Sequence, residues 1–321
     1  MAQWIEQFRP KEEVVRSTRT RVTIFLSPFL CYNDNMNKHK WVVWLGVFIA
    51  TTIGMGASVF FSIQETAEAD YIVETNAFFA PFEFYENRKI VGVDIEIINR
   101  TAEKIGKTIQ VNNVEFDAII DNVETGKIAD AGAAGLTITP AREAKVNFTI
   151  PYYTSNQYVI YNAMTSPAPR NGHLVWEILE GKRVGSQTGS TGYMFASKEI
   201  ENGVLAGTNT VLKGMDSHQL AADAIMSNIL DYAIADELAA KFIVEKNPGL
   251  ATMPLYYMGE TIADDYPAEE SYAIAVNKSR GDLLEAFNAV LSEMLTEDEN
   301  GQTEIDRLVL KYTNLNNEET N

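Results

Sequence analysis

The most hydrophobic part of the chain is a run of 22 residues, Trp41 to Ser62, that contains no charged side chain. About 20 apolar residues span a bilayer as a helix, so this run predicts a transmembrane signal anchor or the hydrophobic region of a signal peptide. Lys38 and Lys40 precede the run, and Glu65 follows it. By the positive-inside rule, we expect residues 1–40 in the cytoplasm and the chain after Ser62 outside it.

Two fates of this N-terminal segment stay open. The run is either an uncleaved anchor that tethers the protein to the membrane, or a signal peptide that is cleaved near Ala69, where the small-x-small sequence Ala67-Glu68-Ala69 stands. Residues 1–40 are then a cytosolic tail or, in part, the product of a misassigned upstream start. They show no periodicity that predicts a fold.

From residue 70 onward, short apolar strands alternate with amphipathic helices. This order, β-α-β-α-β, predicts a parallel sheet flanked by helices. The five elements are Tyr71–Thr75, Asp94–Ile105, Ile109–Asn113, Asp117–Thr125 and Ala129–Ala134. A second α/β unit follows, so the pattern predicts two lobes. Its elements are a strand at Arg183–Gly185, a helix from about Ser190, and then Leu220–Met226, Tyr232–Ala235 and Glu237–Glu245.

Composition narrows the class of protein. The chain has 26 Lys+Arg against 44 Asp+Glu, and residues 70–321 alone carry a net charge of −19. So acidic a surface excludes nucleic acid as a partner, because the phosphate backbone requires a basic face. The single cysteine, Cys31, excludes an internal disulfide framework. With only three histidines besides, the composition favours neither a metal site nor a cofactor. We expect His173 and His218 to lie at the surface.

Three features carry candidate chemistry. Arg142 is either a carboxylate clamp, since a guanidinium offers two parallel N–H bonds, or an ordinary solvated arginine. The glycine-rich loop Gly185–Gly192 leads into a helix. It either binds an anion with free N–H groups or forms a plain turn in which Ser190 or Thr191 caps the helix. Asp236 follows a predicted strand, where it holds an ammonium group, caps the next helix, or does both.

A group of phenylalanines follows the first strand. They are Phe78, Phe79, Phe82 and Phe84. Phenylalanine is mostly a core residue, so burial is the simpler interpretation, and the alternative is that one ring forms the wall of a pocket.

Six segments between residues 71 and 313 complete the pattern. They are Thr75–Phe84, Ile90–Ile95, Gly135–Arg142, Phe148–Tyr153, Val184–Thr191 and Asp231–Asp236. In this order they resemble family 3 of the solute-binding proteins of polar amino-acid ABC transporters. The resemblance implies the two-lobe α/β fold of type 2 periplasmic-binding proteins, with lobe 1 at 70–158 plus 267–321 and lobe 2 at 159–266. The chain would cross between the lobes twice, near Gln157–Tyr161 and near Ala263–Ser271.

The resemblance also implies roles for the charged residues. Arg142 would clamp the α-carboxylate of an amino acid, helped by Ser190 and Thr191 at the helix N-terminus. Asp236 would pair with the α-ammonium group. A zwitterion that leaves water needs both charges paired, so an arginine and an aspartate on opposite lobes are complementary to it.

Four further positions would complete this site. The Thr137 hydroxyl and the Gly135 carbonyl would assist Asp236, Phe79 would cover the ligand side chain, and Asn76 would line its pocket. Many family members carry an acidic residue where Asn76 stands, which favours a polar neutral ligand such as glutamine. Glu74 either restores a negative pocket or bonds within the scaffold.

The function implied is that of an extracytoplasmic amino-acid-binding component of an ABC importer. Its partners would be the amino acid and the permease subunits, and we expect a monomer without enzymatic activity. One alternative is a sensor module, which normally continues into a kinase or cyclase, whereas this sequence stops at Asn321. A second alternative is a cyclic-carboxylate dehydratase on the same fold, against which the pairing of Arg142 with Asp236 argues.

Overall fold

The computed structural model of the chain describes residues 69–165 and 167–318, which belong to one compact unit, Ala67–Asn321. The apolar run Trp41 to Ser62, predicted to be an anchor or signal segment, lies outside the described residues. Among the helices that are described, none has the length and apolarity that a membrane span requires.

The described residues form strands and α-helices that alternate along the chain, as the hydrophobic pattern predicts. The strands are β1 (Tyr71–Thr75), β2 (Phe78–Phe79), β3 (Glu83–Glu86), β4 (Lys89–Val91), β5 (Ile109–Asn113), β6 (Ala131–Gly132), β7 (Asn147–Phe148), β8 (Tyr153–Asn162), β9 (Leu174–Val175), β10 (Arg183–Gln187), β11 (Val211–Met215), β12 (Tyr232–Asp236), β13 (Leu250–Tyr257), β14 (Tyr266–Pro267), β15 (Glu269–Tyr272) and β16 (Ala275–Val276). The helices are α1 (Val93–Ile105), α2 (Ile119–Thr125), α3 (Pro140–Glu143), α4 (Thr191–Asn202), α5 (His218–Met226), α6 (Glu237–Lys246), α7 (Gly281–Met294) and α8 (Glu304–Glu318).

The first sheet has the strand order β5-β1-β6-β16-β7. β1 pairs in parallel with β5 and β6, as the β-α-β-α-β pattern predicts, whereas β16 comes from the C-terminal part of the chain and pairs antiparallel to β6. The predicted strand Ala129–Ala134 is shorter than expected, because only Ala131–Gly132 pairs before the chain turns at Gly135, where φ is +54°.

Helix α1 shows how the sequence builds this lobe. Its apolar residues recur at spacings of three and four, and Ile97 and Ile98 are fully buried on the face that it shares with α7 and the sheet. Gly106 ends the helix in the left-handed conformation, where its N–H bonds to the carbonyls of Ala102 and Glu103. We call the body around this sheet lobe 1.

The second sheet forms the body that we call lobe 2. Its order is β11-β10-β12-β8-β13-β14, with β10 parallel to β11 and β12 and with β8 antiparallel to β12 and β13. Two apolar clusters cover its two faces. One contains Trp176 and Leu205, and the other contains Ala221, Ile225 and neighbouring residues of α5.

Strand β8 packs against both bodies: Tyr153 at its start lies against the apolar core of lobe 1, and Val159 and Tyr161 lie in the core of lobe 2. Its first part, Tyr153–Asn156, pairs with β15, and the part from Gln157 onward pairs with β12 and β13 of the second sheet. The side chains at this change of partner, on β8 and β15, therefore lie at the base of the cleft between the lobes.

Candidate functional site

Arg142 is buried at the cleft, with only 7% of its surface exposed. It stands in the short helix α3, which begins at Pro140 after the cap Thr139. Its guanidinium donates to two backbone carbonyls, Thr137 O at 2.8 Å in lobe 1 and Gly189 O at 2.9 Å in lobe 2. The interpretation of a solvated surface arginine is therefore wrong.

The Arg142 guanidinium has no anionic partner among the residues that the structure describes. No carboxylate oxygen of that part of the chain lies within 4.0 Å of it. Burial lowers the pKa of Arg142 to about 10, although Glu270 and Asp236 oppose this through space. It still carries its positive charge at neutral pH, so this wall of the cleft holds a desolvated cation.

Helix α4 begins next to this cation. Ser190 caps it, because its hydroxyl accepts from the N–H of Tyr193 at 3.2 Å, and Thr191 is the first helical residue. The preceding Gly189 has φ +77°, and a Cβ there would lie 2.9 Å from Cβ of Asp117 in lobe 1. The loop is thus both a capped turn and the point at which lobe 2 approaches lobe 1, with an N-terminal helix dipole directed at the cleft.

Asp236 ends strand β12 and stands at the N-cap position of α6, but its side chain does not cap that helix. Its carboxylate instead accepts from Gln157 Nε2 at 2.6 Å and from the Tyr272 hydroxyl at 2.7 Å. Only 6% of Asp236 is exposed. Of the two roles left open by the sequence, the structure directs this side chain toward the hinge strands β8 and β15.

Glu270 is a site residue that sequence reasoning missed. It lies on β15 with 4% of its surface exposed, and it accepts from Thr137 Oγ1 at 2.6 Å, from Thr191 Oγ1 and from Gln157 Nε2. Burial raises the pKa of Glu270 well above its usual range, and the neighbouring Asp236 charge raises it further. A signal was present, because Glu270 falls in the second predicted crossing, and crossing strands line the cleft.

Phe79 and Asn76, which were predicted to contact the ligand side chain, both lie at the cleft. Phe79 is buried and stacks on Phe82 with 5.6 Å between ring centroids. Asn76 donates to Val114 O at 2.8 Å and accepts from Gln187 Nε2 of lobe 2 at 3.1 Å. Gln187, a second residue that the sequence analysis did not select, therefore meets Asn76 across the cleft.

Gly135 fixes the position of the Phe79 ring. A Cβ at Gly135 would lie 2.5 Å from Phe79 Cε1, and the residue has φ +54°, so two observations require glycine here. Its N–H donates to Asp94 at 3.0 Å, and Asp94 also accepts from the Tyr152 hydroxyl at 2.6 Å. Burial raises the pKa of Asp94 to about 6.

A cavity of about 330 Å³ opens at the mouth of the cleft. It is lined by Glu115, Phe116, Asp117, Thr188, Met215 and Asp216. Both lobes contribute carboxylates to it, so this end of the cleft is acidic even though Asn76 is neutral. Glu74 does not add to this charge directly, because its carboxylate accepts from Asn122 Nδ2 at 3.0 and 3.1 Å within lobe 1.

The remaining candidates differ from expectation. His173 and His218 were predicted at the surface, and this is wrong, since 7% and 4% of them are exposed. His173 bonds to Asp265 at 2.8 Å, and the His218 ring packs 5.8 Å from Phe79. His218 is the first residue of α5 and lies three and four residues before Ala221 and Ala222 on its buried face. This helical spacing predicts burial of His218, and the sequence analysis did not use it.

Phe78 departs from its expected place in the core with 60% exposed, whereas Phe82 and Phe84 are buried as predicted. No group of three or more His, Cys, Asp or Glu side chains in residues 69–165 and 167–318 has the arrangement that could hold a metal ion.

Comparison with known proteins decides the family. Residues 71–312 match the family model of the bacterial extracellular solute-binding proteins, family 3. The chain belongs to this family. The arginine-binding extracellular protein ArtP of Bacillus subtilis is 28% identical to this family 3 protein over 83% of the chain and 95% of ArtP. A probable histidine-binding protein of Campylobacter jejuni is 30% identical over 68% of the chain and 77% of its own length.

Solved structures of the family agree with the fold. The amino acid ABC transporter substrate-binding protein AbpA of Streptococcus pneumoniae, bound to L-arginine, superposes with a TM-score of 0.64 at 27% identity, over 77% of this chain and 95% of AbpA. An ancestral arginine-binding protein bound to glutamine has a TM-score of 0.59 at 29% identity, over 76% and 96% of the two chains. This family 3 protein therefore has the two-lobe α/β periplasmic-binding fold.

Proposed function

We propose that this protein is the amino-acid-binding component of an ABC importer, which closes its two lobes around a free amino acid and delivers it to a membrane permease. The observation that carries the proposal is a pair of unmatched buried charges. The Arg142 cation has no carboxylate within 4.0 Å in the described chain, and the Asp236 and Glu270 carboxyl groups likewise have no cationic nitrogen within that distance. An amino-acid zwitterion supplies both missing partners.

The carboxylate end of the ligand is assigned to Arg142. Two N–H bonds from a guanidinium recognise a carboxylate, and the start of α4 adds the N–H of Thr191 and a favourable dipole. Ser190 contributes by capping that helix. The desolvated cation and the helix N-terminus lie on opposite lobes, so a bound carboxylate joins them.

The ammonium end is assigned to Asp236, with the Thr137 hydroxyl and the Gly135 carbonyl completing its hydrogen bonds. An ammonium group has three N–H donors, and Asp236, Thr137 and Gly135 are among the acceptors available to them. The Thr137 hydroxyl gives its proton to Glu270, which leaves its lone pairs to accept from the ligand.

For the ligand side chain, we propose a cationic group, arginine above all. Phe79 covers its aliphatic part, Asn76 and Gln187 line the passage, and the carboxylates of the cavity at the cleft mouth attract its charge. Several relatives are named arginine-binding proteins. Glutamine is the second candidate, because the neutral Asn76 favours it. An arginine side chain would use the acidic cavity, whereas a glutamine side chain would not.

The lobes are proposed to consist of residues 70–158 plus 267–321 and of residues 159–266, in the type 2 arrangement with two hinge crossovers. The packing of β8 against the cores of both bodies supports the first crossover, and the pairing of β15 with the start of β8 supports the second. We further propose that the protein acts as a monomer without catalytic activity. It is either tethered by Trp41 to Ser62 or released by cleavage near Ala69.

Calorimetric titration of the chain with each of the twenty L-amino acids tests the function. The protein is purified in mild detergent, then unfolded and refolded to remove co-purified ligand. We expect micromolar or tighter binding of arginine and weaker binding of glutamine. A hundredfold excess of a ligand over its Kd should then stabilise the protein by about 2.7 kcal/mol in thermal unfolding. Failure of a correctly folded sample to bind any of the twenty would refute the proposal.

A further inference from the structure

Two carboxyl side chains at the base of the cleft share one amide group. Gln157 Nε2 donates to Asp236 Oδ1 at 2.6 Å and also to Glu270 Oε1. Both carboxyl groups are almost fully buried, with 6% of Asp236 and 4% of Glu270 exposed. Within the described chain, no lysine, arginine or histidine nitrogen lies within 4.0 Å of either one.

The charged and titratable groups that face this carboxyl pair come from several elements. Arg142 of α3, His218 of α5, Glu83 of β3 and Tyr272 of β15 each interact with one or both carboxyl groups. Arg142 is the one permanent cation among them, and it acts only through space. Burial keeps His218 neutral by lowering its pKa, so it supplies no compensating charge.

Two carboxyl groups so placed cannot both be ionised at low cost. Burial disfavours each negative charge, and the first charge disfavours the second. The pKa of Glu270 is accordingly raised well above its ordinary value, by burial first and by Asp236 second, while its bonds with Thr137 and Thr191 act in the opposite direction. The pair therefore keeps one proton over a pH range in which an exposed pair would have lost both.

Glu270 also orients the two hydroxyl groups next to the ammonium position. Thr137 of lobe 1 and Thr191 of lobe 2 both direct their hydroxyls at Glu270 Oε2. A hydroxyl that donates to a carboxyl oxygen has its lone pairs free to accept elsewhere. Glu270 thus lies beside the place assigned to the ligand ammonium and determines which way its neighbours bond.

We propose that Glu270 is a further ligand-binding residue, and that the Glu270–Asp236 pair exchanges its shared proton for the ammonium group of the incoming amino acid. This inference rests on the proposed function, since it uses the same cleft and the same ligand class. One carboxyl O–H bond breaks and the proton passes to solvent, while the ligand N–H groups bond to two carboxylates. The two carboxyl groups together with the proton or the ammonium group that they hold therefore carry the same total charge before and after binding.

The exchange makes binding depend on pH. Because the free protein carries a proton that the complex lacks, affinity rises with pH as long as the free pair is protonated. The association constant should increase by up to tenfold for each pH unit in that range and level off above it. Ligand binding at a pH within that range should release close to one proton.

Calorimetry in phosphate and in Tris buffer at the same pH counts this proton, because the two buffers take up a proton with different enthalpies. The probe is the amino acid that binds most tightly in the panel of twenty, and the protein is the full chain in detergent. We expect the wild type to release close to one proton and Glu270→Gln to release none. Glu269→Gln, which changes the exposed neighbouring carboxylate, is the matched control and should behave as the wild type does.

The possible outcomes are distinct. Tight binding without proton release by the wild type overturns this inference and leaves the proposed function standing. Equal release by the wild type and Glu270→Gln assigns the proton to another group and also overturns it. Absence of binding to every amino acid contradicts the proposed function itself. If Glu270→Gln does not fold, the wild-type proton count still decides, since a value of zero is incompatible with the exchange.

Discussion

Arg142 is the residue proposed to bind the ligand carboxylate. Its replacement by alanine should weaken amino-acid binding by about 3 kcal/mol or more, because the ligand carboxylate would be desolvated without a cation. Arg88→Ala removes an exposed guanidinium of lobe 1 and is the control. Calorimetry of both variants measures the effect. Wild-type affinity in Arg142→Ala, with its fold intact, would show that the carboxylate binds elsewhere.

Gly135 and Gly106 form a matched pair for testing the turn under the ligand. Both have positive φ, +54° and +63°, so alanine costs about 1–2 kcal/mol of folding free energy at either position. Only at Gly135 would the new Cβ collide with Phe79, since nothing lies within 4 Å at Gly106. We expect Gly135→Ala to reduce stability more and also to weaken ligand binding, whereas Gly106→Ala should reduce stability alone. Equal binding by the two variants would mean that the Phe79 position is unimportant.

The sequence identified some residues of the cleft and missed others. Arg142 and Asp236 were selected because their neighbours form recognisable segments, and both lie at the cleft. Glu270 and Gln187 were not, because their significance comes from partners distant in sequence, such as Thr137 and Asn76. His218 was misplaced because a polar residue type was given more weight than its spacing from the buried positions of α5.

At the scale of elements, the N-terminus of α4 is capped by Ser190 and is also proposed to bind the ligand carboxylate. Ser190→Ala removes its cap and should cost about 1 kcal/mol of stability. It should also weaken binding, since that helix end faces the proposed position of the ligand carboxylate. Ser217→Ala removes the equivalent cap of α5, where Ser217 accepts from Leu220 N at 3.2 Å. Thermal unfolding should show similar losses for both, and calorimetry should show weaker binding only for Ser190→Ala. Parallel changes in affinity would argue against an anion site at α4.

Elements were predictable where the contacts that form them are local. The 3.6-residue periodicity identified α1, and the alternation of strands and helices identified the parallel β1, β5 and β6. The antiparallel β16 was not foreseen, because it is a two-residue strand that returns from the far end of the chain. Hydrophobic patterning does not specify which distant strand a short apolar segment will pair with.

For the whole molecule, Asp94 predicts how stability depends on pH. The folded state holds its proton up to about pH 6, whereas the unfolded chain loses it near 3.8. The folded protein therefore binds more protons between these values, so its free energy of unfolding decreases as pH rises through that window. The shift corresponds to a loss on the order of 3 kcal/mol.

Chemical denaturation of the wild type and of Asp94→Asn at a series of pH values measures this effect. The difference between the two curves should change across the window and be constant above it. Subtracting the two curves removes the contributions of groups that titrate in both proteins, such as Asp265. Burial acts to raise the pKa of Asp265, but hydrogen bonds from Arg170, Gly259 and His173 outweigh it and lower the pKa to about 2. A difference that does not vary with pH would contradict the raised pKa of Asp94.

Strand β8 also limits which insertions and deletions the protein can tolerate. It pairs with β15 at one end and with β12 and β13 at the other. Successive side chains of a strand point to opposite faces, so inserting or deleting one codon near Gln157 would reverse the facing of every residue beyond it. Val159 and Tyr161 would leave the core of lobe 2, and the amide that joins Asp236 to Glu270 would turn away. Substitutions here can retune specificity one residue at a time, whereas a change in length would alter both lobes together. Along β8, new ligand preferences are therefore expected to arise by exchange of side chains at a fixed strand length.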